Sequence, residues 1–211
     1  MKEHQRRAAK HEKKIEEKWG TGRIGKVAKF FADEPQSTKA WAKGADGEIR
    51  LAKRLDRDLA GFATVLHDRK VPKTRGNIDH LVVAASGIWI IDAKNYSGKV
   101  ECRDVGDLRT IDNRLYVSNR NQTKLLAGMG WQGEAVQRAI DSIGFGDVPV
   151  HRCICFTSAE WDRFSKPFTI DEVWVGWPNA VISAIQTEQV LDPATTNTLS
   201  HHLSSWFPAS T

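Results

Sequence analysis

Two short apolar runs joined by a tight turn constrain the fold of this chain more than any other feature. They cover residues 78–83 and 88–94, and residues 85–87 separate them. Both runs are rich in β-branched residues and are bounded by turn residues, so the pattern predicts two buried β-strands in an antiparallel hairpin. Asp79, Asp92 and Lys94 lie within these strands, where a charge is costly to bury unless a partner compensates it.

The length of the hairpin loop decides whether these three charges share one face of the sheet. With a loop of residues 86–87, Asp79 would lie opposite Lys94 and Asp92 opposite Leu81, with diagonal neighbours about 7–8 Å apart. With a three-residue loop, Asp79 would face away from the other two charges. The sequence leaves both loops open. A shared face would hold either a closed ion-pair cluster or a divalent metal site with a catalytic lysine.

Glu48 is a third acid on a face that should be buried. A helix is predicted from residue 44 onward, and residues 48, 51, 52, 55 and 59 form one stripe at helical spacing. Glu48 therefore adds a carboxylate to the same candidate site. The alternative is a helix-end residue that is satisfied by backbone N–H groups.

Three segments, residues 44–48, 78–80 and 92–98, resemble the nuclease-related domain (NERD) family, which is similar to the PD-(D/E)XK superfamily. The resemblance extends from about residue 41 to the end of the strand-like segment 173–175. It implies an α/β fold with a restriction-endonuclease-like α-β-α core and a mixed central sheet. One departure is that Asp92 stands where the family signature more typically has Glu.

The resemblance also implies roles for individual residues. Asp79 and Asp92 are expected to bind Mg²⁺ or Mn²⁺, with the Ala93 carbonyl and Glu48 as further ligands, and Lys94 is expected to orient the attacking water. Gln132 resembles a helix glutamine that supports the site in some members of the superfamily, although a surface position fits the sequence equally well.

Phosphodiester hydrolysis requires these residue types. Mg²⁺ takes oxygen ligands and keeps several waters, so two carboxylates are enough to hold it. A lysine beside it can stabilise the anionic transition state. We therefore expect a metal-dependent nuclease that acts on DNA, with RNA as the alternative substrate. The alternative is a weak or inactive nuclease-fold module that binds nucleic acid or a protein partner.

Positive charge is concentrated at the start of the chain. Residues 1–43 hold 12 Lys or Arg and 6 Asp or Glu, whereas the remaining residues have a net charge of −1. We predict a basic helical N-terminal extension over residues 1–40, followed by the nuclease-like domain over residues 41–211. The alternative is a solvated tail whose short helix docks on the domain. The candidate contacts to nucleic-acid phosphate are Arg6, Arg7, Lys10, Arg120 and Lys124.

The remaining patterns predict scaffold and location. Strands are expected over residues 62–66, 98–104, 107–111, 115–118, 148–157 and 168–175, helices over 124–140 and from Asp192, and a turn or linker over 33–38. Three cysteines favour a reducing, cytoplasmic compartment. No secretory signal and no membrane-spanning run are expected. A homodimer is left open.

Overall fold

The computed structural model describes residues 35–210, apart from residues 108 and 188. Within this range the chain forms four helices and nine strands. The helices are α1 (Pro35–Asp58), α2 (Lys124–Asp141), α3 (Pro178–Thr187) and α4 (Pro193–Trp206). The strands are β1 (Ala63–Lys70), β2 (Asn77–Ala84), β3 (Gly87–Lys94), β4 (Val100–Asp104), β5 (Asn113–Val117), β6 (Arg120–Asn121), β7 (Val150–Phe156), β8 (Phe168–Ile170) and β9 (Val173–Gly176).

The central sheet has six strands in the order β1-β2-β3-β7-β9-β8. The strands β1, β2 and β3 pair antiparallel, β3-β7 and β7-β9 pair parallel, and β8 pairs antiparallel with β9. The predicted mixed sheet is therefore confirmed. Strands β4, β5 and β6 form a separate antiparallel sheet.

Helices cover both faces of the central sheet, which confirms the predicted α-β-α layers. On one face, Leu81 and Ile90 pack with apolar residues of α2, α4 and the small sheet. On the other face, Val82 and Ile91 pack with apolar residues of α1 and α3. Because successive side chains of a strand point to opposite faces, a strand that is covered on both sides must be apolar throughout. This explains the continuous apolar runs in β2 and β3.

The β2–β3 hairpin differs from the prediction in its register but not in its parity. Ala84 pairs with Gly87, so the loop is Ala85-Ser86 rather than residues 86–87. The buried Ser86 hydroxyl donates to the Ile185 carbonyl at 2.7 Å and accepts from Trp89 Nε1 at 3.0 Å. These bonds hold Ser86 within the turn. A two-residue loop still keeps the three charges on one face, but it shifts the partners by two residues.

Two further strand predictions were wrong because the chain forms turns in these segments. Residues 107 and 109–111 lie outside any strand, and the Asp107 carboxylate accepts hydrogen bonds from the Arg109 and Thr110 backbone amides. Residues 168–175 form two strands instead of one, because the chain turns at Asp171 and Glu172, which have φ values of 49° and 60°. An Asp that bonds to the nearby backbone, as Asp107 does, or that adopts a positive φ, as Asp171 does, favours a turn over a strand.

The helices agree with the sequence in part. The predicted helix around residues 124–140 and the Asp192 N-cap are confirmed, with Asp192 Oδ1 accepting from the Ala194 amide at 2.8 Å. Helix α1 begins at Pro35, within the segment predicted as a turn or linker, and continues through residue 41. Helix α3 was not predicted.

The predicted basic extension lies largely outside the described residues, which begin at residue 35. This applies to Arg6, Arg7 and Lys10, which stay predictions as phosphate contacts. Among the described helices, none has the length and apolar content needed to span a membrane.

Candidate active site

Asp79 and Asp92 meet at the ends of β2 and β3. The hairpin register, continued one step beyond the pair His80–Ile91, sets the two aspartates opposite each other. The Ala93 amide also donates a hydrogen bond to Asp79 Oδ2 at 3.2 Å. Burial of the Asp79 carboxyl, followed by the nearby charges of Asp92 and Glu48, raises its pKa well above the ordinary value. The pair is therefore a like-charge contact that needs a cation to stabilise its ionised form.

Lys94 supplies a cation on the same face of the sheet. Its Nζ lies 2.7 Å from Asp92 Oδ1 and 2.6 Å from Asp92 Oδ2. Burial alone would lower the pKa of Lys94, but the charges of Asp92 and Asp79 outweigh burial and raise the pKa. The ammonium group therefore stays charged, and it compensates Asp92 more directly than Asp79.

Helix α1 brings Glu48 to this end of the sheet through a close approach at Gly47. A Cβ atom at Gly47 would lie 2.6 Å from Asn95 Cβ and 2.8 Å from Thr157 Oγ1. Only glycine allows the helix backbone to pass so near the ends of β3 and β7. Glu48 is half-buried, and its charge contributes to the raised pKa of Asp79. Glu48 therefore lies close enough to Asp79 to affect its ionisation, and its role at the site stays a prediction.

A comparison with protein families identifies the family to which this chain belongs. The model of the nuclease-related domain family matches residues 43–157, more than half of the chain. The chain belongs to the nuclease-related domain family. The match includes Glu48, Asp79, Asp92 and Lys94. No curated protein and no solved structure matches the chain.

The donor set of this nuclease-related domain suits a hard divalent cation, the class of metal that the family generally uses. Within the described residues, no group of three His, Cys, Asp or Glu side chains is arranged to hold a metal. Mg²⁺ needs fewer, because it keeps several waters and is bound through one or two carboxylates and substrate phosphates. The facing carboxylates of Asp79 and Asp92 therefore fit such an ion, provided that Lys94 leaves an oxygen of Asp92 accessible.

Gln132 is not a surface residue. It lies on α2, the helix that covers the same face of the sheet as Asp79 and Asp92, and its side chain is buried. Among the described residues, Gln132 Oε1 accepts no hydrogen bond, and none links Gln132 to Asp92 or Lys94. A buried amide oxygen without a partner is costly. Its role in supporting the site stays a prediction.

Arg120 and Lys124 lie at the surface near the start of α2. Arg120 is in β6 and Lys124 opens α2, and both side chains are exposed. Neither forms an ion pair with an acid in the described part of the chain. Arg120 also lines a cleft with residues 95–97, directly after Lys94. The phosphate contacts of Arg120 and Lys124 stay predictions, and the position of Arg120 in this cleft is compatible with such a contact.

A chain of three side chains on the opposite face of β2 includes no residue for which the sequence predicted a role. His80 Nδ1 lies 2.9 Å from His67 Nδ1, and His67 Nε2 lies 2.9 Å from Asp56 Oδ1. Burial of His80, with the charge of His67 as a second cause, lowers the pKa of His80 to about 3. His80 therefore stays neutral beside Asp79. The only sequence signal was its place in the Ile78-Asp79-His80 segment.

Proposed function

We propose that this chain is a metal-dependent nuclease that hydrolyses the phosphodiester bonds of DNA or, alternatively, of RNA. The observation that carries the proposal is the pair of facing carboxylates, Asp79 and Asp92, with the Lys94 ammonium bonded to Asp92. Membership of the nuclease-related domain family supports it. A cytoplasmic location and a homodimer stay predictions from the sequence.

Each residue has a separate part in the proposed mechanism. Asp79 and Asp92 hold Mg²⁺ or Mn²⁺, and Glu48 and the Ala93 carbonyl are the further candidate ligands. When bound, the divalent ion acidifies a water and neutralises charge on the phosphoryl oxygens. Lys94 releases one oxygen of Asp92, and its ammonium then orients the attacking water and stabilises the developing negative charge. Gln132 lies on helix α2, which covers the face of the sheet that carries Asp79 and Asp92, and supports the site from there.

A second candidate is a binding module that keeps the nuclease fold without its activity. The observation that favours it is the ion pair itself, because Lys94 Nζ contacts both oxygens of Asp92. An ion pair that never opens would make Asp92 and Lys94 a structural element. The shorter side chain of Asp92, where the family signature more typically has Glu, points the same way. Such a module would bind nucleic acid or a protein partner.

A cleavage assay separates the two candidates. Purified protein is incubated with single- and double-stranded DNA and RNA in Mg²⁺, Mn²⁺ or EDTA, beside the variants Asp92→Asn and Lys94→Ala. The matched control is Asp112→Asn, which removes a carboxylate whose ion pair with Arg114 is exposed. We expect metal-dependent cleavage by wild type and the control, and none by the site variants. The nuclease proposal would be refuted if Asp92→Asn still cleaves, or if wild type cleaves no substrate in either metal.

A further inference from the structure

A cleft of about 630 Å³ opens at Asn95, the residue after Lys94, between the segment that follows β3 and the β5–β6 turn. Polar side chains with hydrogen-bonding capacity form most of its lining, together with one aromatic ring. They are Asn95, Tyr96, Ser97, Ser118, Arg120 and Gln122. Because Asn95 follows Lys94 directly, the cleft begins where the candidate active site ends.

The two walls of the cleft are fixed to each other. The Ser118 hydroxyl donates to the Ser97 carbonyl at 2.9 Å, and Gly98 has a φ of 92°. A Cβ atom on Gly98 would collide with the Ser118 side chain, so a glycine is required at this contact. On the other side of the turn, the Gln122 amide donates to the Leu115 carbonyl at 2.8 Å. The cleft is therefore a preformed feature rather than a gap between independent loops.

The charge inside the cleft has one sign. Among the described residues, Arg120 is the only charged one in the lining, and no acid contributes to it. In the same part of the chain Arg120 has no ion-pair partner, whereas Arg103 and Arg114 of the same small sheet are bonded to Glu101 and Asp112. A guanidinium without an internal carboxylate is suited to bind a phosphate from outside.

We infer that this cleft binds one unpaired nucleotide adjacent to the scissile phosphate, so that single-stranded nucleic acid is the substrate class of the site. The inference rests on the proposed function, which places the reacting bond at Lys94. Arg120 binds the phosphate of that nucleotide, and the half-exposed amide side chain of Gln122 bonds to its sugar or base.

The volume of the cleft supports a single nucleotide. Pockets for small ligands have volumes of about 300–1,000 Å³, and the cleft lies in this range. Bases of a single strand are free to enter a pocket and to bond through their edges, whereas a duplex keeps its bases paired and stacked. A duplex would therefore reach Arg120 only through its backbone and would leave the interior of the cleft unfilled.

The test is a binding titration with the full chain in EDTA, which prevents metal-dependent hydrolysis. Fluorescence anisotropy measures the affinity for a single-stranded DNA of about 12 nucleotides, within the usual site size of single-strand binding proteins, and for its duplex at several salt concentrations. The variant is Arg120→Gln. The matched control is Arg109→Gln, an exposed arginine in the β4–β5 loop, at the other end of the same small sheet and also without an ion pair in the described part of the chain. Thermal melts verify that both variants are folded.

We expect Arg120→Gln to weaken single-strand binding about tenfold and to lower the slope of log affinity against log salt by about 0.7. The Arg109→Gln control should stay within about twofold of wild type, because an exposed arginine outside the cleft should contact no phosphate of the bound strand. The inference is overturned if both variants weaken binding equally, or if Arg120→Gln weakens only duplex binding.

Cleavage by the same proteins separates this inference from the proposed function. If wild type hydrolyses nothing in Mg²⁺ or Mn²⁺ but single-strand binding depends on Arg120, the cleft stands as a binding site and the nuclease proposal fails. If wild type cleaves and Arg120→Gln binds single strands like wild type, the nuclease proposal stands and the cleft inference fails.

Discussion

Lys94 Nζ lies within 2.7 Å of both carboxylate oxygens of Asp92. The residue that is proposed to act on the attacking water is thus held by a residue that is proposed to bind the metal. The two roles compete for the same oxygens, because an ion that enters between Asp79 and Asp92 must take at least one of them. In the proposed mechanism, the ion pair therefore controls both metal affinity and the availability of the ammonium group.

This competition predicts opposite effects of Lys94→Ala on binding and on rate. Removing the ammonium frees both oxygens of Asp92, so affinity for Mn²⁺ should be equal to or higher than that of wild type. Hydrolysis should fall by about 100-fold or more, because Lys94 acts on the transition state. Calorimetry and single-turnover cleavage measure the two quantities. The control is Lys99→Ala, an exposed lysine paired with Glu101 and Asp162. A lower Mn²⁺ affinity of Lys94→Ala would contradict the prediction.

Asp79→Asn should stabilise the metal-free protein while it abolishes metal binding. The Asp79 pKa is raised by burial and by the charges of Asp92 and Glu48, so the ionised form destabilises the native state at neutral pH. The isosteric amide removes that charge and retains an oxygen to accept from Ala93 N–H. We expect the free energy of unfolding in EDTA to rise by roughly 1–3 kcal/mol, measured by urea denaturation.

The control for this prediction is Asp112→Asn. A hydrogen bond from Arg114 lowers the pKa of Asp112, so its ionised form stabilises the native state and the amide should give no gain. A lower melting temperature for Asp79→Asn than for wild type in EDTA would show that the carboxylate is compensated without metal.

The sequence predicted the chemical groups of the site better than their partners. Strand parity follows from the alternation of side chains along a strand, so Asp79, Asp92 and Lys94 could be assigned to one face once the loop was taken as two residues. The register depends on the Ser86 hydroxyl, which bonds to Ile185, a residue 99 positions away in the chain. A contact so distant in sequence leaves no local pattern, so the facing partner of Asp79 could not be predicted.

Gly47 shows the same limit for packing. Its place before Glu48 is visible in the sequence, but the approach of Asn95 and Thr157 to its Cα depends on how α1 crosses the sheet. The His67–His80 contact likewise requires the β1–β2 register, which pairs these two residues across strands. Periodicity indicates which face of an element is buried, whereas contacts between elements depend on the tertiary fold.

Gly47→Ala should disturb the site through helix α1. The new Cβ atom would lie 2.6 Å from Asn95 Cβ, so the helix must move away and carry Glu48 with it. We expect a decrease of about 1–3 kcal/mol in stability and reduced cleavage. Gly44→Ala is the matched control, because nothing lies within 4 Å of its added Cβ and it occupies the same helix. That change should be neutral or stabilising by up to about 1 kcal/mol. Equal effects of the two substitutions, measured by thermal denaturation, would contradict the packing argument.

The lowered pKa of His80 predicts that the free energy of unfolding decreases in mild acid. Its pKa is lowered to about 3 in the native state, against 6.5 in the unfolded chain, so between these values the unfolded state binds more protons. The contribution of neutral His80 to the free energy of unfolding is therefore fully present above pH 6.5. This contribution declines as pH falls toward 3, by at most about 1.4 kcal/mol per pH unit.

The measurement for His80 is urea unfolding at several pH values between about 5 and 8, the range in which an unperturbed histidine titrates. Asp79 has the opposite slope, because its raised pKa makes stability fall as pH rises, so all three proteins, with His80 intact, His80→Asn or His201→Gln, should carry Asp79→Asn. In that background His80→Asn should flatten the dependence on pH. The exposed His201→Gln should leave it unchanged. A slope that persists in His80→Asn would assign the effect to another group.

The basic N-terminal segment should supply affinity for the nucleic-acid backbone that is independent of sequence. Residues 1–34 carry 10 Lys or Arg and 6 Asp or Glu, and a truncated protein that starts at residue 35 retains every described residue of α1. The truncated protein should bind duplex DNA more weakly, with a salt slope reduced by about 0.9 for each phosphate that the segment no longer neutralises.

Replacing Arg6, Arg7 and Lys10 by Gln in the full chain tests the charges without the truncation. Cleavage of saturating substrate should change little in either protein, because this segment contributes no ligand. Equal salt slopes together with a lowered melting temperature of the truncated protein would mean that the segment packs on the domain and that its charge has no role in binding.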